Sequence, residues 1–225
     1  MGGRGASSSG GASAKNGMTL FNGGKVEFNG TLQFGKKDPT LSPTVRAVTE
    51  KWENKRVKNK IEYGYSVDAN GNPVGNEVKG SKGRVFVPRI FHDTQDATFT
   101  HIHPRADGSG YLGGTFSKAD LMNLANHKNK IVRAAAAEGT YSMSKGSNFN
   151  AYGFKNYVQS VDAKFKRDYK QKMDALDKQV TSGAISWSDY NRQAAIAFNN
   201  GVIQVHNDYL AGQKQYGYIY TLEKR

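Results

Sequence analysis

From Val161 onward, apolar residues return every third or fourth position. Val161, Phe165, Tyr169, Met173, Leu176 and Val180 therefore share one face of a long amphipathic helix. Gly183 interrupts that pattern, and Ser186 opens a second helix carrying Tyr190, Ala194, Ala197, Val205 and Tyr209. Upstream of this helical hairpin the period shortens to two. Ile61, Tyr63, Tyr65 and Val67 alternate with other residues as a half-buried strand does. Asn70-Gly71-Asn72-Pro73 then reads as a turn, because Asn-Gly supplies the positive φ angles that tight turns need. Strands are expected over Val74 to Val78 and Arg84 to Pro88. A further short strand covers residues 97–103, ended by Pro104, which cannot donate to a sheet ladder.

The remaining segments fit around these. Ser42-Pro43 looks like an N-cap followed by the first helical residue, with Val45, Val48 and Trp52 on one face. A short strand pair is expected within Leu20 to Phe34. Leu121, Leu124 and Ala125 extend a helix from Asp120 to about Lys128, and Ile131 to Ala137 and Thr140 to Met143 read as further strands. Tyr216 to Leu222 alternates aromatic and small residues as a closing strand. The predicted fold class is α/β (α+β), a mixed sheet flanked by helices and extended by the C-terminal helical hairpin. The expected organisation is a flexible Gly/Ser-rich tail over residues 1–17, a core over 18–153, and the hairpin with its closing strand over 154–225.

Composition narrows the classes. The chain has 225 residues and no cysteine, which excludes disulfides and thiolate chemistry. No apolar run reaches bilayer length and no signal-peptide pattern is present, so no membrane partner is expected and the location is read as cytoplasmic or virion-associated. Formal charge is +13, which points to an anionic neighbour such as nucleic acid or an acidic protein. The cations are scattered, at Lys36-Lys37, Lys51 to Lys60, Lys128-Lys130 and Lys164 to Lys172, so a solvated basic surface fits as well as a groove. No Walker loop, nucleophile elbow or dinucleotide fingerprint occurs.

The chemistry concentrates in Thr100-His101-Ile102-His103-Pro104 and, after a Gly-rich loop, Phe116-Ser117-Lys118-Ala119-Asp120-Leu121. Residues i and i+2 of a strand point the same way, so His101 and His103 project together. Two imidazoles and one carboxylate, with a fourth position left to water, make the ligand set of a catalytic zinc site. Ser117-x-x-Asp120 is equally a helix-capping pattern, with Phe116 and Leu121 at the staple positions. The two readings are compatible, because a cap holds a first-turn ligand rigidly. His92 and Asp93 are read as loop residues or outer supports of the site, His127 as a surface residue, and His206 is given no role.

The order His-x-His-Pro, loop, Ser-x-x-Asp resembles the metal-binding signature of the JAMM (MPN-type) zinc metallohydrolase superfamily, across roughly residues 42 to 145. The resemblance implies zinc ligands at His101, His103 and Asp120, with Ser117 as a hydroxyl beside the reacting carbonyl. It also implies a glutamate base on an earlier strand, for which Glu62 in the Lys60 to Asp68 strand has the fitting context. The connection over residues 105–116 is longer than the family's and is rich in glycine, as a flap would be. The opening Met-Gly-Gly-Arg-Gly-Ala-Ser-Ser-Ser-Gly resembles termini found in phage or prophage head-gene clusters. The function implied is hydrolysis of an amide or isopeptide bond in a protein or peptide substrate. The alternatives are a phage structural or interaction protein whose basic surface meets nucleic acid or phage head proteins, and a metal-dependent nucleic-acid-processing protein.

Overall fold

The computed structural model describes residues 12–104 and 110–225. Four short strands come first: β1 (Ser13–Lys15), β2 (Met18–Thr19), β3 (Lys25–Val26) and β4 (Thr31–Gln33). Helix α1 (Pro43–Arg56) leads to β5 (Tyr63–Val67), β6 (Val78–Lys79), α2 (Ile90–Asp93) and β7 (Thr98–Ile102). Helix α3 (Lys118–Asn126), β8 (Ile131–Ala135) and β9 (Thr140–Lys145) follow, and the chain ends in α4 (Ala151–Thr181), α5 (Trp187–Tyr216) and β10 (Tyr218–Glu223). Six strands form one sheet in the order β10-β9-β8-β7-β5-β6. Only β7 and β8 run parallel, joined by a crossover that contains α3, and the other pairs are antiparallel. The fold is thus the mixed sheet flanked by helices that the sequence pattern predicts.

Alternation along the strands assigns side chains to two unlike faces. Phe99, Val132, Ala134, Tyr141, Met143 and Leu222 belong to the main apolar core, together with Leu121 and Leu124 of α3, Val158 of α4 and Val202 of α5. The other face lies under α1. There Val45 packs with Val67 and Ile131, and Trp52 with Ile102. Between those patches sits a buried polar network in which Arg133 of β8 donates from Nε to Glu53 Oε1 at 2.7 Å and from Nη1 to Glu223 Oε2 at 3.2 Å. Arg133 and Glu53 are both shielded completely from solvent.

Helix ends follow the capping expectations. Ser42 accepts from Val45 N with Pro43 behind it, and Ser186 accepts from Asp189 N. At Gly183 the backbone takes φ of +74°, which ends the first helix of the hairpin. The first helix starts earlier than its expected apolar face, at Ala151, because Asn150 caps it and Phe154 and Val158 already lie buried on it.

Three expectations need correction. Residues 84–88 form no strand, and the strand expected over Val74 to Val78 is reduced to Val78–Lys79 with an isolated bridge between Val67 and Pro73. Residues 80–85 instead turn tightly on themselves, Ser81 N donating to Arg84 O, and Val87 then lies against the sheet, its Cγ1 3.0 Å from where a Cβ on Gly64 would sit. Their apparent alternation arises because Val85 and Val87 turn inward while Arg84 and Phe86 stay exposed. Part of the expected N-terminal tail is ordered as well, since Ser13–Lys15 pairs with Thr31–Gln33. Residues 1–11 of that tail, and 105–109 of the expected flap, lie outside the described residues.

Candidate metal centre

His101 lies inside β7, and His103 follows the strand while its amide still donates to Ala135 O at 2.9 Å. Both rings therefore point to the same side of the sheet. Phe99, two residues earlier on that face, stacks on His101 with ring centroids 5.3 Å apart and fixes its plane. Asp120 enters from the first turn of α3. Ser117 is the N-cap, its Oγ accepting from Asp120 N at 3.2 Å, while Asp120 Oδ2 accepts from Ser117 N at 2.8 Å and from Ser117 Oγ at 2.7 Å. The cap and the carboxylate are one unit.

His101, His103 and Asp120 form a group able to hold a metal ion, their donor atoms lying within 4.8 Å of one another. His101 Nε2 is 2.9 Å from His103 Nε2 and 3.5 Å from Asp120 Oδ2. Two donors each about 2.0–2.1 Å from a tetrahedral ion would be separated by roughly 3.3 Å, so the spacing fits a shared ion with small adjustments. The tautomer fits too. His103 Nδ1 is 2.8 Å from Gly114 O, and since a carbonyl only accepts, Nδ1 carries the proton and Nε2 turns its lone pair inward.

Charge is strongly organised here. Burial alone would raise Asp120, but His101, His103 and the Ser117 hydroxyl outweigh it and hold the carboxyl far below the usual range. Burial likewise opposes a charged His101, yet Asp120 and then Glu62 raise its pKa. Glu62, unlike Asp120, is raised: burial lifts it, opposed by His101 and helped by Asp120. Its position follows from register. Gly64 of β5 pairs with His101, so continuing the antiparallel ladder two residues sets Glu62 opposite His103, on the same face. Gly64 keeps this approach close, since a Cβ there would crowd Val87 at 3.0 Å and the Phe99 ring at 3.2 Å, and those side chains would have to give way.

All five residues anticipated from the sequence line one cleft of about 730 Å³: Glu62, His101, His103, Ser117 and Asp120. His92 lines it as well, buried and pushed down to about 4 by burial and by His127. His127, expected at the surface, is half-buried and its Nδ1 lies 2.6 Å from Asp93 Oδ1. His206, which was given no role, is wholly buried against Tyr220 Oη at 2.9 Å.

Sequence reasoning missed Glu138 and Asn199. Glu138 accepts from Gly113 N at 3.0 Å, Gly114 N at 2.9 Å and Tyr141 Oη at 3.1 Å, and Asn199 Oδ1 accepts from Leu112 N at 2.8 Å. Together they fasten the segment whose Gly114 carbonyl orients His103. No motif announces them, although the neighbouring pair Gly113-Gly114 marks a backbone that other groups approach closely. No helix among the described residues is long and apolar enough to cross a membrane. No protein-family model, curated protein or solved structure matches the chain.

Proposed function

We propose that the chain is a JAMM-like zinc-dependent hydrolase of amide or isopeptide bonds. His101, His103 and Asp120 would hold the metal, with Glu62 as general base and Ser117 as the supporting hydroxyl. The observation that carries this reading is the convergence of two imidazoles and one carboxylate within 4.8 Å in a cleft that also holds Glu62. When bound, zinc supplies Lewis acidity toward a carbonyl and makes water more acidic. Glu62 accepts the proton of the attacking water and returns it to the departing amine, a task that suits a half-buried carboxyl with a raised pKa. The hydroxyl proton of Ser117 is given to Asp120, so Ser117 orients the carboxylate and faces a substrate carbonyl only by exchanging that bond.

The test is metal content by elemental mass spectrometry on untagged protein purified without chelator. The expected result is about one zinc per chain, lost in folded His103→Ala and Asp120→Ala proteins. Glu62→Gln should keep the zinc and lose peptide hydrolysis. A wild-type protein that takes up no zinc when zinc is added overturns the proposal.

The charge of +13 favours a second reading, an interaction protein whose surface meets nucleic acid or a phage head. Affinity for DNA falling steeply with added salt would support it, in proportion to the phosphates contacted.

A further inference from the structure

We propose that the substrate is an extended peptide carrying a bulky apolar side chain on one side of the scissile amide and an acidic side chain on the other. This rests on the hydrolase reading and names its substrate class. The cleft at the metal centre borders a second groove of about 540 Å³, and the two share Ser117 and Ala119 at the start of α3. A chain laid across that junction would present one bond to the metal ligands and one flank to each arm.

The two arms differ in chemistry. One wall of the first is formed by residues 83–87 and 89, which carry Arg84 and Arg89 and no acidic residue. Arg84, Phe86 and Arg89 line the cleft and are exposed. The Arg84 guanidinium sits 4.1 Å over the Phe86 ring, and among the described residues no carboxylate pairs with it. Arg89 is held by Asp93 at 2.6 Å, an exposed pair that a second carboxylate can join. Glu62 and Asp120 are the acids lining this cleft, and both belong to the metal centre.

The second arm runs between residues 113–119 and the α4/α5 hairpin. Its lining includes Phe116, Val161, Phe165, Phe198, Val202 and Tyr209. The two lysines lining it are already engaged, Lys166 with Asp162 at 2.8 Å and Lys118 with the same carboxylate at 4.0 Å. An apolar side chain is what this arm can desolvate without leaving a charge unpaired. The first arm offers a guanidinium with no carboxylate partner among the described residues, whereas both lysines of the second already meet Asp162. A peptide with unlike flanks complements both.

The experiment measures fluorescence anisotropy of labelled hexapeptides on the full-length Glu62→Gln protein with zinc added, so that bound peptide stays intact. The peptides carry Phe and Glu on opposite sides of the central amide, in both chain directions, with Glu→Lys and Phe→Ser controls. The Glu→Lys peptide should bind about fivefold more weakly or worse, and the Phe→Ser peptide about tenfold or more. Arg84→Ser with Arg89→Ser should erase the first discrimination and keep the second, and Phe165→Ala should do the reverse. Equal binding of Glu and Lys peptides, or a discrimination that survives Arg84→Ser with Arg89→Ser, overturns the inference. So does an oligothymidylate that binds more tightly and displaces the peptide, which would assign the cleft to nucleic acid. The two proposals fail separately. Ordered peptide binding with no cleavage by zinc-loaded wild type removes the hydrolase and leaves the recognition standing; cleavage indifferent to both flanks does the opposite.

Discussion

His103 Nδ1 lies 2.8 Å from the carbonyl oxygen of Gly114. That contact sets which ring nitrogen is left to meet a metal, and it is only as rigid as the backbone that offers the carbonyl. Glu138 holds that backbone through the Gly113 and Gly114 amides, and its carboxyl is raised by burial that those bonds offset only in part. Glu138 is thus a positioning residue for a group it does not touch.

Replacing Glu138 by Gln removes one of the two acceptors facing those amides. Outer partners of metal-bound histidines typically change affinity by about 10–100-fold when lost. Glu138→Gln should therefore weaken zinc binding by at least about tenfold in a chelator competition while circular dichroism shows the fold retained. An unchanged zinc affinity would mean that His103 is oriented by the rest of its surroundings.

Ser117 makes a second prediction, because its hydroxyl both caps α3 and donates to Asp120. Ser117→Ala should cost about 1 kcal/mol of stability, the usual value of an N-cap, and should loosen zinc as well. Ser117→Thr keeps a capping hydroxyl and should restore both. If Ser117→Ala loses hydrolysis at saturating zinc with its zinc affinity intact, the hydroxyl acts on the substrate instead.

Much of this site was legible because its signals are local. The i, i+2 spacing of His101 and His103 and the Ser117-x-x-Asp120 cap each follow from one element's geometry, and the structure brings both together. What escaped was set by contacts distant along the chain. Glu138 meets Gly113 across 25 residues, and Asn199 meets Leu112 across 87. The Arg84 to Pro88 segment misled in the opposite sense, since a loop draped over a sheet can also turn alternate residues inward. Glu53 likewise carries no local mark of burial, since its partner Arg133 lies 80 residues further along the chain.

His206 and His92 should make the protein sensitive to acid. Burial pushes each down to about 4, so the folded chain keeps them neutral where an unfolded chain would bind protons. Their contribution is fully present above about pH 6.5 and is lost as pH falls toward 4, because the unfolded state then binds more protons. For one such histidine the loss by about pH 5 is on the order of 2 kcal/mol. The urea midpoint should fall between pH 7 and about pH 5, and His206→Gln should make that fall shallower. A midpoint flat over this range would mean that the rings gain protons without unfolding.

The last prediction concerns the reverse side of the strand that carries His101. Thr100 points away from the cleft, pairs in register with Arg133, and donates to Glu53 Oε1 at 2.8 Å, the same oxygen that receives Arg133 Nε. Burial would raise the Glu53 carboxyl, but Arg133, Arg225 and Thr100 together hold it below its usual value, so it stays charged inside the protein. Removing one member of a buried pair leaves the other charge uncompensated, typically at a cost of about 3–5 kcal/mol. Glu53→Gln should cost that much in urea unfolding. Adding Arg133→Met should recover only part of it, because it removes the fully buried guanidinium that lost its main partner, while Arg225, which also donates to Glu53, still lacks that carboxylate. Additive losses would show that Glu223 alone compensates Arg133. Since this network lies on the opposite face from the metal ligands, Glu53→Gln protein that remains folded should bind zinc as tightly as wild type, and a weakened affinity would mean that the strand shifts as a whole when its far side is disturbed.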